Sequence, residues 1–274
     1  MKKHIYLLAM LVFLSSACGS DPKPENAREQ ILPEEKADQP FEYHLRKFNV
    51  STSLSAKPAK GNPRITLTLT LLETPESEFL KDVLYAGKSP EQYRDALSQG
   101  YTEMYQQNPP PEDLLPSQSF VWEHLEQIGI LYLHNPGMVI EREMYTFTGG
   151  AHGMPAKMYY VIDLEQQKKL HLEDFFRDPG GAEVRKVIQD ELRRYSGLTK
   201  DQPLSEGIFF EDEPEISGNF FVSPEGIGLH WNPYEIAPYY VGYVEIRLPW
   251  KAVRSLLNPE GAAWLTKFGI SLGS

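Results

Sequence analysis

The chain is predicted to be an α+β protein built on an antiparallel meander of strands, with helices packed on one face and two sequential sub-domains. Two observations carry that expectation. Segments with period-two alternation dominate, and the clearest is Ile65-Thr66-Leu67-Thr68-Leu69-Thr70-Leu71. Stretches with helical spacing come in separate blocks, at 76–107, 183–195 and 249–257, and do not alternate one for one with strands. Segregated runs of this kind favour an antiparallel sheet over a doubly wound parallel one.

The folded part is expected to start at Phe41. Phe41 to Ser55 and Arg64 to Glu73 read as a strand pair joined by the Pro/Gly-rich segment Lys57 to Pro63. Phe79, Val83 and Leu84 then recur at helical spacing. Ser89-Pro90-Glu91 opens a second helix, with Ser at the cap and Pro in the first turn. That helix carries Tyr93, Leu97, Tyr101, Met104 and Tyr105, a stripe that reads as core packing. The triplet Pro109 to Pro111 stops helical structure and separates a sub-domain at 41–108 from a second one at 115–274.

In the second part, Val121 to Leu125, Ile128 to His134, Met138 to Phe147 and Ala156 to Leu164 read as a meander of strands. Asn135-Pro136-Gly137 and the Gly149 to Pro155 stretch interrupt it. Val184, Val187, Ile188, Glu191 and Leu192 give a helix over Glu183 to Tyr195 that covers one sheet face. Phe220 to Ser223, Gly226 to Trp231 and Val241 to Pro249 are three further strands, and Pro249 to Leu257 a short closing helix.

The N-terminus has the three zones of an export signal. Lys2 and Lys3 precede an apolar run from Ile5 to Leu14, and the small residues Ser15-Ser16-Ala17 precede Cys18. The run is roughly ten residues long, half of what a membrane-crossing helix needs. Residues 1–17 are therefore expected to be a lipoprotein signal peptide and Cys18, the chain's single cysteine, its lipidation site. The box departs from the usual pattern in having Ser15 where Leu normally stands. Residues 18–40 are rich in Pro, Glu, Lys, Asp and Gln and read as a disordered tether. The expected location is the cell envelope, with the chain held to a membrane by its N-terminal lipid; in a two-membrane bacterium this means the outer membrane or the periplasmic face.

Lys plus Arg number 27 against 38 Asp plus Glu, a net charge of −11. Loss of Lys2 and Lys3 with the signal makes the chain more acidic still. An acidic surface repels phosphate backbones, so a nucleic-acid partner is not expected, whereas a cationic partner is attracted.

No catalytic constellation stands out. Tyr145-Thr146-Phe147-Thr148-Gly149-Gly150-Ala151-His152-Gly153 turns the backbone sharply around one imidazole, which suits a ligand loop or simply a turn between two strands. No G-x-S-x-G nucleophile motif accompanies it. The histidines are scattered and never in H-E-x-x-H form, so no metal and no cofactor is expected; His152, His230 and Glu235 are the set that folding could unite. Glu141 and Glu143 share a strand face and could be nominated as a carboxylate pair, but charged residues there also keep a sheet soluble. Glu211-Asp212-Glu213 with Glu215 reads as a solvated acidic loop. Asn232-Pro233-Tyr234-Glu235-Ile236-Ala237-Pro238-Tyr239-Tyr240-Val241-Gly242 joins two Pro to three Tyr, which suits either binding or packing of a long connection.

Thr148 to Gly153, Asp163-Leu164, Glu225-Gly226-Ile227-Gly228-Leu229 and Asn232 to Tyr239 with Gly242, taken together, resemble the extracellular domain family of the anti-sigma factor RsiV, which also occurs beside deacetylase domains in PdaC-like proteins. The resemblance extends over roughly residues 115–257 and more weakly over 41–108. It implies a non-enzymatic α+β envelope module, whose best understood relative senses lysozyme by direct protein contact. The chain lacks a sigma-binding segment, a transmembrane helix and a recognisable deacetylase domain, so neither signalling nor deacetylation is implied. The expected function is thus non-catalytic binding of lysozyme or another cell-wall-associated ligand, such as a glycan. Gly149, Gly150, His152, Tyr234, Glu235 and Tyr239 are the candidate contacts. The alternative is a peptidoglycan-directed hydrolase or carbohydrate-binding module using His152 and an acid near Tyr234.

Overall fold

A computed structural model describes residues 41–55, 61–75, 77–109, 120–134 and 136–272. The signal peptide, Cys18, the tether and most of the Pro triplet lie outside the described residues. The architecture is α+β, and it contains two sheets where the sequence suggests one. The larger has six strands in the order β1-β2-β3-β4-β5-β6, and the smaller has three in the order β7-β8-β9.

β1 (His44–Ser53) and β2 (Arg64–Glu73) form the expected antiparallel pair. The alternation of β2 places Ile65, Leu67, Leu69 and Leu71 in the core, each at most 1% exposed. α1 (Glu78–Tyr85) starts where the Ser77 hydroxyl accepts the Leu80 N–H, and Ala86 ends it in the left-handed region. α2 (Pro90–Gln107) has a full capping box. The Ser89 hydroxyl accepts the Gln92 N–H, while the Gln92 side chain accepts the Ser89 N–H. The tyrosine stripe is only partly core. Tyr105 is buried and Tyr93, Leu97 and Tyr101 are half-buried, while Met104 is exposed.

β2 then pairs with β3 (Val121–His134) in parallel, against the antiparallel expectation. The reason is the intervening helix pair: a parallel neighbour needs a crossover of a dozen or more residues, and α1 with α2 supplies one. β3 is also one continuous strand of 14 residues, not two. β4 (Gly137–Phe147), β5 (Met154–Asp163) and β6 (Lys168–Leu170) complete the meander; β6 has too few residues to be visible as a period.

α3 (Ala182–Ser196) buries Val184, Ile188 and Leu192 and ends at Gly197, φ 73°. β7 (Phe220–Ser223) and β8 (Gly226–Trp231) match the expected bounds, but β9 runs only from Val244 to Pro249. Residues 239–241 form a 3-10 turn and Gly242 has φ 74°, so pairing cannot begin at Val241. α4 (Trp250–Val253) is followed by α5 (Pro259–Lys267), which the sequence reading missed. Its start is nevertheless written in the chain, since the Asn258 side chain caps the Gly261 N–H and Pro259 fills the first turn.

Two compact units emerge, one of residues 40–129 and 142–157, the other of residues 130–141 and 158–274 among those described. They do not coincide with a division at the Pro triplet, because β3, β4 and β5 are long enough for each to contribute to both units. The first unit carries α1, α2, β1 and β2. The second carries α3 to α5 and the three-stranded sheet around a core that includes Phe175, Phe221, Trp231, Val253 and Phe268.

Candidate functional site

In the second unit, β8 and β9 form an antiparallel pair whose last rungs are His230 with Glu245 and Trp231 with Val244. Residues 232–243 are therefore the connection of a hairpin, and the Pro- and Tyr-rich segment is that loop. Two Pro and a left-handed residue shape it. Tyr234 has φ 73°, an uncommon conformation for a bulky side chain, which persists only where its surroundings hold it.

The surroundings are on hand. The Tyr234 N–H donates to Ala237 O at 3.1 Å, and the Glu235 N–H to Asn232 O at 3.1 Å. The Glu235 carboxylate turns back on the same turn, accepting the Asn232 N–H at 2.8 Å and its side-chain amide at 3.2 Å. Ile236 and Ala237 insert into the core, and the Phe210 N–H donates to Ile236 O at 3.0 Å. The result is a pinned loop with aromatic side chains outward. Tyr234 is 51% exposed, Tyr240 74% and the adjacent Phe210 52%. The Tyr234 and Tyr239 rings lie 5.7 Å apart. The acidic run 211–215 follows Phe210 directly.

Beneath the loop sits a cluster that the sequence reading did not assemble. The Tyr159 hydroxyl on β5 lies 3.0 Å from Glu141 Oε2 and 2.9 Å from Glu245 Oε2, and its one hydrogen serves one of them at a time. Burial, followed by these two carboxylates, pushes the phenol well above its ordinary range, so it acts as a donor. His230 Nδ1 is 3.3 Å from Glu245 Oε2; facing a carboxylate, that nitrogen carries the hydrogen. The His230 side chain is 1% exposed and its ring lies 5.0 Å from that of Tyr243.

The other candidates sit elsewhere. Gly149 and Gly150, with φ 97° and 94°, and His152 belong to the first unit, where they turn the chain between β4 and β5. His152 Nδ1 faces Gly153 O at 3.0 Å, and a Cβ at Gly153 would overlap the Tyr145 ring, so the glycine is needed for close approach. Among the described residues no group of three or more His, Cys, Asp or Glu could hold a metal ion.

The first unit has its own buried polar network. Glu126, whose side chain is fully buried, pairs with Arg142 Nη2 at 2.9 Å, accepts the Tyr93 hydroxyl at 2.9 Å, and faces His124 Nε2 at 3.1 Å. Arg142 also donates to Leu84 O at 3.0 Å and to the Tyr93 hydroxyl. The Tyr101 and Thr146 hydroxyls flank His124 Nδ1. This network fastens α1 and α2 to the sheet. An open groove of about 440 Å³ runs along the polar face of α2 past Thr52, Ser98 and Thr102. Its Ser98 and Thr52 hydroxyls bond each other at 2.8 Å, as on an ordinary solvated helix face.

The loop 232–243 thus joins β8 and β9 of an α+β fold with its aromatic side chains exposed. Residues 173–251 match a family described as a protein of unknown function, DUF3298, so a domain of that family is present. Over 119 residues, 42% of this chain, there is 24% identity to the peptidoglycan-N-acetylmuramic acid deacetylase PdaC of Bacillus subtilis. The chain spans only a quarter of that relative's length, 25%. Among solved structures, a DUF3298 family member from Bacteroides fragilis superposes with a TM-score of 0.65 at 21% identity, covering 83% of this chain and 96% of that one. A DUF3298 family protein from Pseudomonas aeruginosa gives a TM-score of 0.56 at 18% identity, covering 81% and 97%. These likenesses show a shared fold.

Proposed function

We propose that the protein is a non-catalytic binding protein of the cell envelope, anchored by lipid at Cys18, that meets its ligand through the loop 232–243. The ligand is a cationic protein such as lysozyme or a cell-wall glycan. The observation that carries this reading is the exposure of Tyr234, Tyr240 and Phe210 on backbone held rigid by buried anchors and a left-handed Tyr234. Aromatic side chains on a preorganised loop give large contact area at small entropic cost. The net charge of −11 draws cationic partners. Gly149, Gly150 and His152 form a second, separate contact segment in this proposal. The hydrolase alternative finds little support on the loop, because both oxygens of Glu235 accept hydrogen bonds from Asn232.

Titration of the purified protein with lysozyme and with peptidoglycan fragments, at low and high salt, tests the proposal. Binding of lysozyme that weakens with salt is expected, and Tyr234→Ala or Tyr240→Ala should reduce affinity by roughly tenfold or more while leaving unfolding unchanged. Failure to bind either ligand at low salt, or unchanged affinity in both variants, would count against the loop as contact face.

A further inference from the structure

We propose that His230, Glu245, Tyr159 and Glu141 form a clamp that sets the conformation of the 232–243 loop, with Glu245 as its positioning residue. The inference rests on that loop being the contact face, and it names the groups that hold it in shape.

The argument starts from the ladder. His230 and Glu245 are directly opposite partners, one rung below Trp231 and Val244, the last pair before the loop opens. The side chains of directly opposite residues share a sheet face and lie within reach of each other. Here they meet at 3.3 Å between Nδ1 and Oε2, closing the base of the hairpin with a bond additional to the ladder. Glu245 does not act alone. The Tyr159 hydroxyl reaches the same Oε2 at 2.9 Å, which ties the loop's base to β5 of the larger sheet, and Glu141 on β4, at 3.0 Å, is the alternative acceptor of that one hydrogen.

The loop requires such fastening. Tyr234 at φ 73°, a conformation that a bulky residue keeps only where its surroundings hold it, lies near its start, and Gly242 at φ 74° lies near its end. Tyr243, between Gly242 and β9, packs its ring on His230 and accepts the Tyr195 hydroxyl at its carbonyl, so the last turn of the loop leans on the clamp. The His230 ring also packs edge-on against Tyr159 at 5.6 Å, which fixes the imidazole plane that faces Glu245. Glu245 receives the His230 Nδ1 hydrogen, and that of the Tyr159 hydroxyl whenever it does not serve Glu141.

The test is amide hydrogen exchange on the full chain, read at the loop amides of Tyr234, Val241 and Gly242 and, as an internal standard, at the β2 amides. In Glu245→Ala and Tyr159→Phe the loop amides should exchange roughly tenfold faster, with the β2 amides unmoved. Glu245→Gln, which keeps an acceptor oxygen, should fall between these variants and the wild type. A loss of structure everywhere would raise exchange at β2 as well, which is why the graded Gln variant is included. Loop exchange equal to wild type in both Glu245→Ala and Tyr159→Phe overturns the clamp. Because this readout needs no ligand, it stands if lysozyme and glycan binding both fail. If binding holds but the loop amides do not respond, the contact reading survives and the clamp alone is lost.

Discussion

Glu126→Ala should destabilise the first unit by about 3–5 kcal/mol, because it strands the Arg142 guanidinium in a site where its side chain is 9% exposed. The loss exceeds that of an ordinary ion pair, since Glu126 is also the acceptor of Tyr93 and the partner of His124. Burial, and after it the nearby Glu126 carboxylate, push the Tyr85 phenol upward. Urea unfolding followed by tryptophan fluorescence, to which Trp122, packed on Tyr101 and Tyr105, contributes beside the three tryptophans of the second unit, reports on the event. The combined replacement Glu126→Leu with Arg142→Met should cost far less, as removing both charges leaves neither uncompensated. A cost below about 1 kcal/mol for Glu126→Ala would show that the network contributes little.

The second large effect lies in the small sheet. Phe221→Ala is expected to cost about 3–5 kcal/mol, since the ring is 2% exposed and packs against Tyr159 at 4.7 Å and beneath Arg247. Gly228 faces it across the β7–β8 ladder, and a Cβ there would come within 2.1 Å of the ring. Gly228→Ala alone should therefore cost about 1–3 kcal/mol through overpacking. In the Phe221→Ala background the same change should be close to neutral or favourable, because it fills part of the vacated space. A double-mutant cycle measures this coupling, and additive costs would disprove the steric reading.

Much of the fold can be read in the chain where a single period runs undisturbed. β2, β7 and β8 have their expected bounds, and α2 starts at its Ser-Pro cap. What stayed hidden depends on partners far away in sequence. Nothing in residues 64–73 announces a parallel neighbour, because the direction of β3 is set by the helix pair between them. The loop 232–243 was legible as a rigid aromatic segment, yet its clamp was not. Strand bounds alone give no register, so the pairing of His230 with Glu245 is not marked in the sequence. The alternation pairs Glu141 with Glu143 on its own strand, whereas its hydroxyl partner is Tyr159 on β5 and the second carboxylate comes from β9. Alternation within one strand carries no record of such meetings.

Among the described residues the polypeptide passes from one compact unit to the other three times, near residues 129, 141 and 157. Neither unit is thus a continuous piece that one cut could release. The stretch matched to the known family, residues 173–251, is narrower than the body it belongs to. Excised, it would leave behind Val139, Tyr159 and Val161 on one side and Leu257, Leu265 and Phe268 on the other, all buried against its core. The matched segment is one part of the second unit, and a fragment that keeps that unit's core has to include residues 130–141 and 158–172 as well as 173–272.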